Sequence, residues 1–173
     1  SAILDTLLVL DALAGEDRLA GVLGTSAGAQ IGLAAMMMQR DRAHAMPGAA
    51  VMIHGAFAMS TESHAHRLHG NAAEGLTSAD MRAYIEAYGV AAAADRAYGD
   101  LTLSDMTGLS PLWFCCGDLD PLLDDTLMAY ENVRATGGRP RLQIVPSRAH
   151  GFMNRWHGDS TAEAALVTAI DWF

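Results

Sequence analysis

The stretch Leu19-Ala20-Gly21-Val22-Leu23-Gly24-Thr25-Ser26-Ala27-Gly28 decides how the rest of the chain is read. Leu19–Leu23 is a short apolar run that reads as a buried strand. Gly24–Gly28 follows as a tight turn of small residues. Ile31 and Leu33–Met38, set among alanines, then form an apolar helix that ends at the charged run Arg40–Arg42. A Gly-x-Ser-x-Gly turn between a strand and a helix lifts the serine hydroxyl above the sheet. The flanking glycines let strand and helix backbones approach without a Cβ in the way. The serine also stands at a helix N-terminus, where free N–H groups can stabilise a developing oxyanion. Ser26 is therefore the candidate nucleophile, and Ala27 the candidate oxyanion donor through its backbone N–H.

Outward from this turn, strands and helices alternate. Ile3, Leu4, Leu7, Leu8 and Leu10 recur at helical spacing behind Ser1, a candidate cap, and Gly15 ends that helix. Ala49–His54 reads as a second strand and Leu112–Cys116 as a third. Leu122–Ala135 is an amphipathic helix stopped by Gly137-Gly138. Arg141–Val145 is a strand closed by Pro146. Ser160 and Glu163 form a candidate capping box ahead of Leu166, Val167 and Ile170. This order predicts an α/β fold with a mostly parallel sheet covered on both faces, binding its ligand at the carboxyl ends of the strands. The stretch from about Ser60 to Ser110 is richer in His, Tyr, Gly and polar residues. With weak helices at Ser78–Tyr88 and Val90–Tyr98, it reads as a cap or lid inserted into a single domain over 1–173.

Composition narrows the function. The chain has 173 residues, 51% of them hydrophobic and 18% charged, which suits one globular domain with a real core. A net charge of −9 without a basic stripe argues against nucleic acid and against an anionic membrane surface. No run of 18 uncharged apolar residues suggests membrane insertion. Ser1–Ala14 holds Asp5 and Asp11 and lacks a basic leader, so a cytoplasmic setting is expected. The absence of an initial Met reads as a processed, truncated or partial sequence. Cys115 and Cys116 are strand neighbours whose side chains point to opposite faces, so no disulfide is expected.

A serine nucleophile needs a general base. His150, in His150-Gly151-Phe152, follows a strand by a short loop and so falls at the same sheet edge as Ser26. His54 also ends a strand, but reads as a satisfied core or edge histidine. His44 and His157 have no comparable position. His64, His66 and His69 have the look of a zinc cluster without an acidic or Cys partner, and read as a solvated lid segment; no metal is expected. The orienting acid should follow another strand, and Asp120 in Gly117-Asp118-Leu119-Asp120-Pro121 does so. Asp118, Asp124 and Asp125 are rivals, the last two placed to complement a helix dipole. Lid residues Met81, Tyr84 and Tyr88, with Phe57, are candidates for an apolar acyl pocket, ordinary helix packing being the alternative.

Gly24-Thr25-Ser26-Ala27-Gly28, Asp120-Pro121-Leu122 with Asp124, and His150-Gly151-Phe152 together resemble the hormone-sensitive-lipase-like (bacterial family IV) esterases, in their GTSAG form. Leu109-Ser110-Pro111-Leu112 before the Asp strand extends the likeness. The resemblance implies the carboxyl-terminal part of an α/β-hydrolase fold, with Ser26 as nucleophile, His150 as general base and acid, and Asp120 as orienter. It implies hydrolysis of small-molecule carboxylic esters of short or medium acyl chain, without a cofactor. An amidase, a peptidase, an acyltransferase or a non-catalytic binding protein on the same fold are the alternatives. The family's upstream His-Gly-Gly-Gly-like oxyanion motif has no counterpart here: His54-Gly55-Ala56 comes too late and lacks the glycines. The last strand and helix offer a surface on which two subunits could pair as a homodimer.

Overall fold

The computed structural model describes residues 1–71, 75–89 and 96–172. Four strands, β1 (Gly21–Thr25), β2 (Ala49–Ile53), β3 (Leu112–Gly117) and β4 (Arg141–Val145), form one sheet in the order β1-β2-β3-β4. Every pairing is parallel. Parallel neighbours need crossovers, and these are helical. Helix α1 (Ala2–Gly15) precedes the sheet, α2 (Ala27–Asp41) joins β1 to β2, α6 (Leu123–Ala135) joins β3 to β4, and α7 (Ser160–Ile170) follows. The long β2–β3 connection carries α3 (His64–His69), α4 (Ser78–Tyr88) and α5 (Arg96–Gly99). The expected helix Val90–Tyr98 falls largely outside the described residues.

The period-2 alternation of strands divides the core in two. Ala50, Met52, Leu112 and Phe114 point to one face of the sheet and pack with α1, α2 and α6 through Leu7, Leu33, Met36 and Ala129. Val51, Ile53, Trp113 and Cys115 point to the other and pack with Ala162, Ala165 and Ala169 of α7. β2 and β3 are buried along their whole length, as a sheet covered on both faces requires. A third, smaller cluster of Ala56, Met81 and Leu122, with Met59, Leu76 and Ile85 against it, lies off the sheet.

Two local readings are corrected. β1 runs Gly21–Thr25 rather than Leu19–Leu23, because its register with Ala49–Ile53 decides its extent, not its apolar content. The cap of α7 is Asp159, not Ser160: its carboxylate accepts from the N–H groups of Thr161 (2.9 Å) and Ala162 (3.1 Å) and pairs with Arg148 at 2.9 Å. A charged acceptor at a helix N-terminus outcompetes a hydroxyl one residue later. Cys115 and Cys116 are both buried and unbridged. Burial pushes the Cys115 thiol up to about 12, so it stays protonated and inert. Among the described residues, no helix is long and apolar enough to cross a membrane.

Candidate active site

Each of the four strands delivers one site residue at its carboxyl end. Ser26 directly follows β1, with φ 53° and ψ −123°. That left-handed φ is strained for a residue with a Cβ, and the fold holds it with a hydrogen bond from the Ser26 N–H to the Ile53 carbonyl (2.9 Å). The turn also demands Gly24. A Cβ there would stand 2.6 Å from both the Ala29 Cα and the Gly28 carbonyl oxygen, so only glycine lets β1 and α2 pass this closely. Gly28 carries no such constraint: a Cβ there would meet nothing within 4 Å. The close approach expected of both glycines therefore rests on the first.

Asp120 follows β3 and is wholly buried. Its carboxylate accepts from the Leu122 N–H at 2.8 Å, which closes the turn into α6. A Cβ at Gly117 would collide with the Arg148 backbone, so glycine at that position lets the Asp120 loop lie against the loop after β4. This brings His150 alongside. His150 Nδ1 lies 2.9 Å from Asp120 Oδ2 and 3.1 Å from Oδ1. An ionised carboxylate only accepts, so Nδ1 carries the hydrogen and Nε2 is left to accept. Nε2 lies 3.0 Å from Ser26 Oγ. Three side chains 124 residues apart in sequence, from Ser26 to His150, thus make one continuous hydrogen-bonded line. Ala27, which is exposed, begins α2 directly after Ser26.

The fourth strand end holds His54, and here the sequence reading is corrected. The residue is buried but not satisfied: its backbone N–H donates to the Cys115 carbonyl (2.7 Å), while its side-chain Nδ1 has no hydrogen-bond partner among the described residues. Its ring centroid stands 4.5 Å from that of His150, and its other neighbour is the Phe152 ring at 5.8 Å. Burial lowers its pKa to about 4; repulsion from His150 adds to this, and Asp120 opposes it. His54 is therefore a neutral imidazole at physiological pH. One ligand-capable atom each from His54, Asp120 and His150 lies within 4.8 Å of the others, the one such triple of metal-binding side chains among the described residues. His64, His66 and His69 do not converge in this way. His64 is exposed, but His66 is buried with Nδ1 2.9 Å from the Ser78 hydroxyl, so that residue is not part of a solvated segment.

The rival acids have other work. Asp118 accepts from the Arg148 N–H at 3.4 Å. Asp124 accepts from the Ala65 N–H (2.8 Å) and Asp125 from the Ala58 N–H (2.9 Å), so both grip the β2–β3 segment instead of merely facing a helix dipole. Burial pushes the Asp125 carboxyl up to about 7, helped by Asp100, Asp120 and Asp124 and opposed by the Ala58 N–H.

Beside Ser26 lies a cleft of about 380 Å³ between the first turn of α2 and one face of α4. Met81, Tyr84 and Tyr88 line it, as do Gln30, Met59 and Ile85, which the sequence reading did not single out. Phe57 does not: it is wholly buried in the main core, edge-on to Phe114 at 5.8 Å between centroids. An aromatic just past a strand end can turn either way, and this one turns inward.

Solved structures of the same shape are esterases and lipases by description. An esterase/lipase from an uncultured bacterium superposes with a TM-score of 0.84 at 21% identity, over 98% of this chain and 58% of its own. A thermostable esterase from Pseudomonas putida ECU1011 gives 0.89 at 16%, over 96% and 56%. A hormone-sensitive lipase from a metagenome library gives 0.84 at 19%, over 93% and 55%. The chain thus spans under three-fifths of the length of these structures. A family model described as the alpha/beta hydrolase fold matches residues 4–154, and the chain belongs to that family.

Proposed function

We propose that this chain carries the catalytic triad of a serine hydrolase that cleaves carboxylic esters of short to medium acyl chain. The observation that supports it most is the unbroken line from Ser26 Oγ through His150 to the buried Asp120. Ser26 Oγ attacks the ester carbonyl while His150 Nε2 takes its proton. Asp120 holds the imidazole in the tautomer with hydrogen on Nδ1 and steadies the imidazolium that forms. The tetrahedral oxyanion leans on the Ala27 N–H at the start of α2. The alcohol departs with the proton from His150, leaving an acyl-serine. Water, deprotonated by His150, then releases the acid.

The apolar character of the cleft beside Ser26 favours an acyl chain over a peptide side. Met81, Tyr84 and Tyr88 give it aromatic and aliphatic walls, and its 380 Å³ lies at the small end of ligand pockets. The test is covalent labelling of the protein expressed from the full reading frame that encodes this chain. An organophosphonate should modify it once, at Ser26, and a Ser26→Ala variant should take up none. Equal labelling of that variant would overturn the assignment.

A further inference from the structure

The cleft beside Ser26 has a larger neighbour, and the two share a wall. The second cleft, about 710 Å³, lies between the later turns of α2 and the residues around α5, including Met37, Tyr98 and Leu103. Two side chains line both spaces: Met59 and Ile85. Each is half-buried, and both pack on the small cluster of Ala56, Met81 and Leu122.

Both are held in place by identifiable contacts. Met59 follows Ala58, whose N–H is gripped by the buried Asp125 carboxylate. Its backbone is held at φ 48°, a conformation that a residue with a Cβ adopts only where its surroundings impose it. Ile85 stands one turn from both Met81 and Tyr88 on α4, and the end of that helix is tied to the nucleophile helix. The Tyr88 hydroxyl donates to Gln30 Oε1 (3.1 Å), and Gln30 Nε2 donates to the Tyr98 carbonyl (2.8 Å). Gln30 is itself fully buried one turn after Ser26. The tie fastens the end of α4, and with it the Ile85 side of the partition, to the helix that begins beside the serine.

We propose that Met59 and Ile85 form the partition that sets the length of acyl chain the site accepts, closing the Ser26 cleft against the larger one behind it. This rests on the esterase reading above and deepens it. A short chain fills the first cleft and stops at the two side chains. A long one would need the space beyond, from which the unbranched Met59 and the β-branched Ile85 exclude it.

The test uses p-nitrophenyl esters from acetate to laurate, with the concentration of active serine set by organophosphonate titration. In the unaltered protein kcat/KM should peak at a short chain. Met59→Ala/Ile85→Ala should join the clefts and raise the laurate-to-butyrate ratio about tenfold or more, the scale on which a hydrophobic pocket discriminates chain length. Ile85→Trp should act in the opposite sense, sparing acetate and losing longer esters. Leu103→Trp, placed in the larger cleft alone, should cancel the gain when added to the double variant. Variants that titrate fully yet keep the parental profile would overturn the partition. An unaltered protein that takes up no phosphonate would overturn the esterase reading, and the partition with it.

Discussion

Ser26, His54, Asp120 and His150 stand just beyond the ends of four strands, whereas Met59, Met81, Ile85 and Tyr88 belong to the segment between β2 and β3. The first group is positioned by the backbone ladders of a four-stranded parallel sheet whose two middle strands are buried along their whole length. The second is positioned by a few side chains reaching up from the helices: Asp124 to Ala65, Asp125 to Ala58, Gln30 to Tyr88 and Tyr98. Rigid backbone suits reacting atoms, where a displacement of about 1 Å is costly in rate. Side-chain anchors suit a pocket wall, which can change shape while the sheet stays intact. On the esterase reading proposed above, chemistry and selectivity therefore have separate supports.

The largest expected effect breaks the first group. Ser26→Ala should lower kcat by about 10⁵–10⁶, and Asp120→Asn by about 10⁴, in ester hydrolysis by the full reading frame. Circular dichroism should show an unchanged fold in the serine variant. A loss below tenfold in either would mean that the strand-end line is not the reacting one.

A smaller effect probes the anchors. An unfolded aspartate titrates near 3.8, and the folded Asp125 holds its proton up to about 7. The folded state thus binds more protons between those values, so the contribution of Asp125 to stability is full below about pH 4 and falls as pH rises to about 7. Asp125→Asn removes that loss while its amide oxygen can still accept from Ala58. Its melting temperature should match the parent near pH 4 and exceed it above pH 7, by the equivalent of a few kcal/mol. A pH-independent difference would show that the carboxyl titrates normally.

The smallest effects separate the two glycines of the turn. Gly24→Ala should destabilise by about 1–3 kcal/mol in urea unfolding, because its Cβ meets only backbone. Gly28→Ala should stay within about 0.5 kcal/mol, since open space surrounds it. Equal costs would mean that the close approach of β1 and α2 is not what the turn requires of Gly24.

The same division explains what could be read in advance. Apolar runs place β2, β3 and β4 within a residue of their observed bounds, and motifs just past the ends of β1, β3 and β4 place Ser26, Asp120 and His150. What escaped depended on partners distant in sequence. β1 shifted because its register is a property of β2. Asp159 displaced Ser160 as a cap because Arg148 reinforces it. Phe57 went to the core because Phe114 receives it. His54 looked like an ordinary strand-end histidine because nothing local shows that the His150 ring will lie 4.5 Å away. Gln30 carries no motif at all, and its role appears only when α4 and α5 fold onto it.

Asp120 has a consequence for reading other copies of this fold. Besides facing His150, its carboxylate accepts from the Leu122 N–H and so staples the turn that launches α6. A chain of this fold without the serine would still need an acceptor at this position, while the Ser26 hydroxyl caps nothing in its own turn and, among the described residues, meets only His150. An acceptor kept here is thus poor testimony of a living enzyme, and the serine is the better witness.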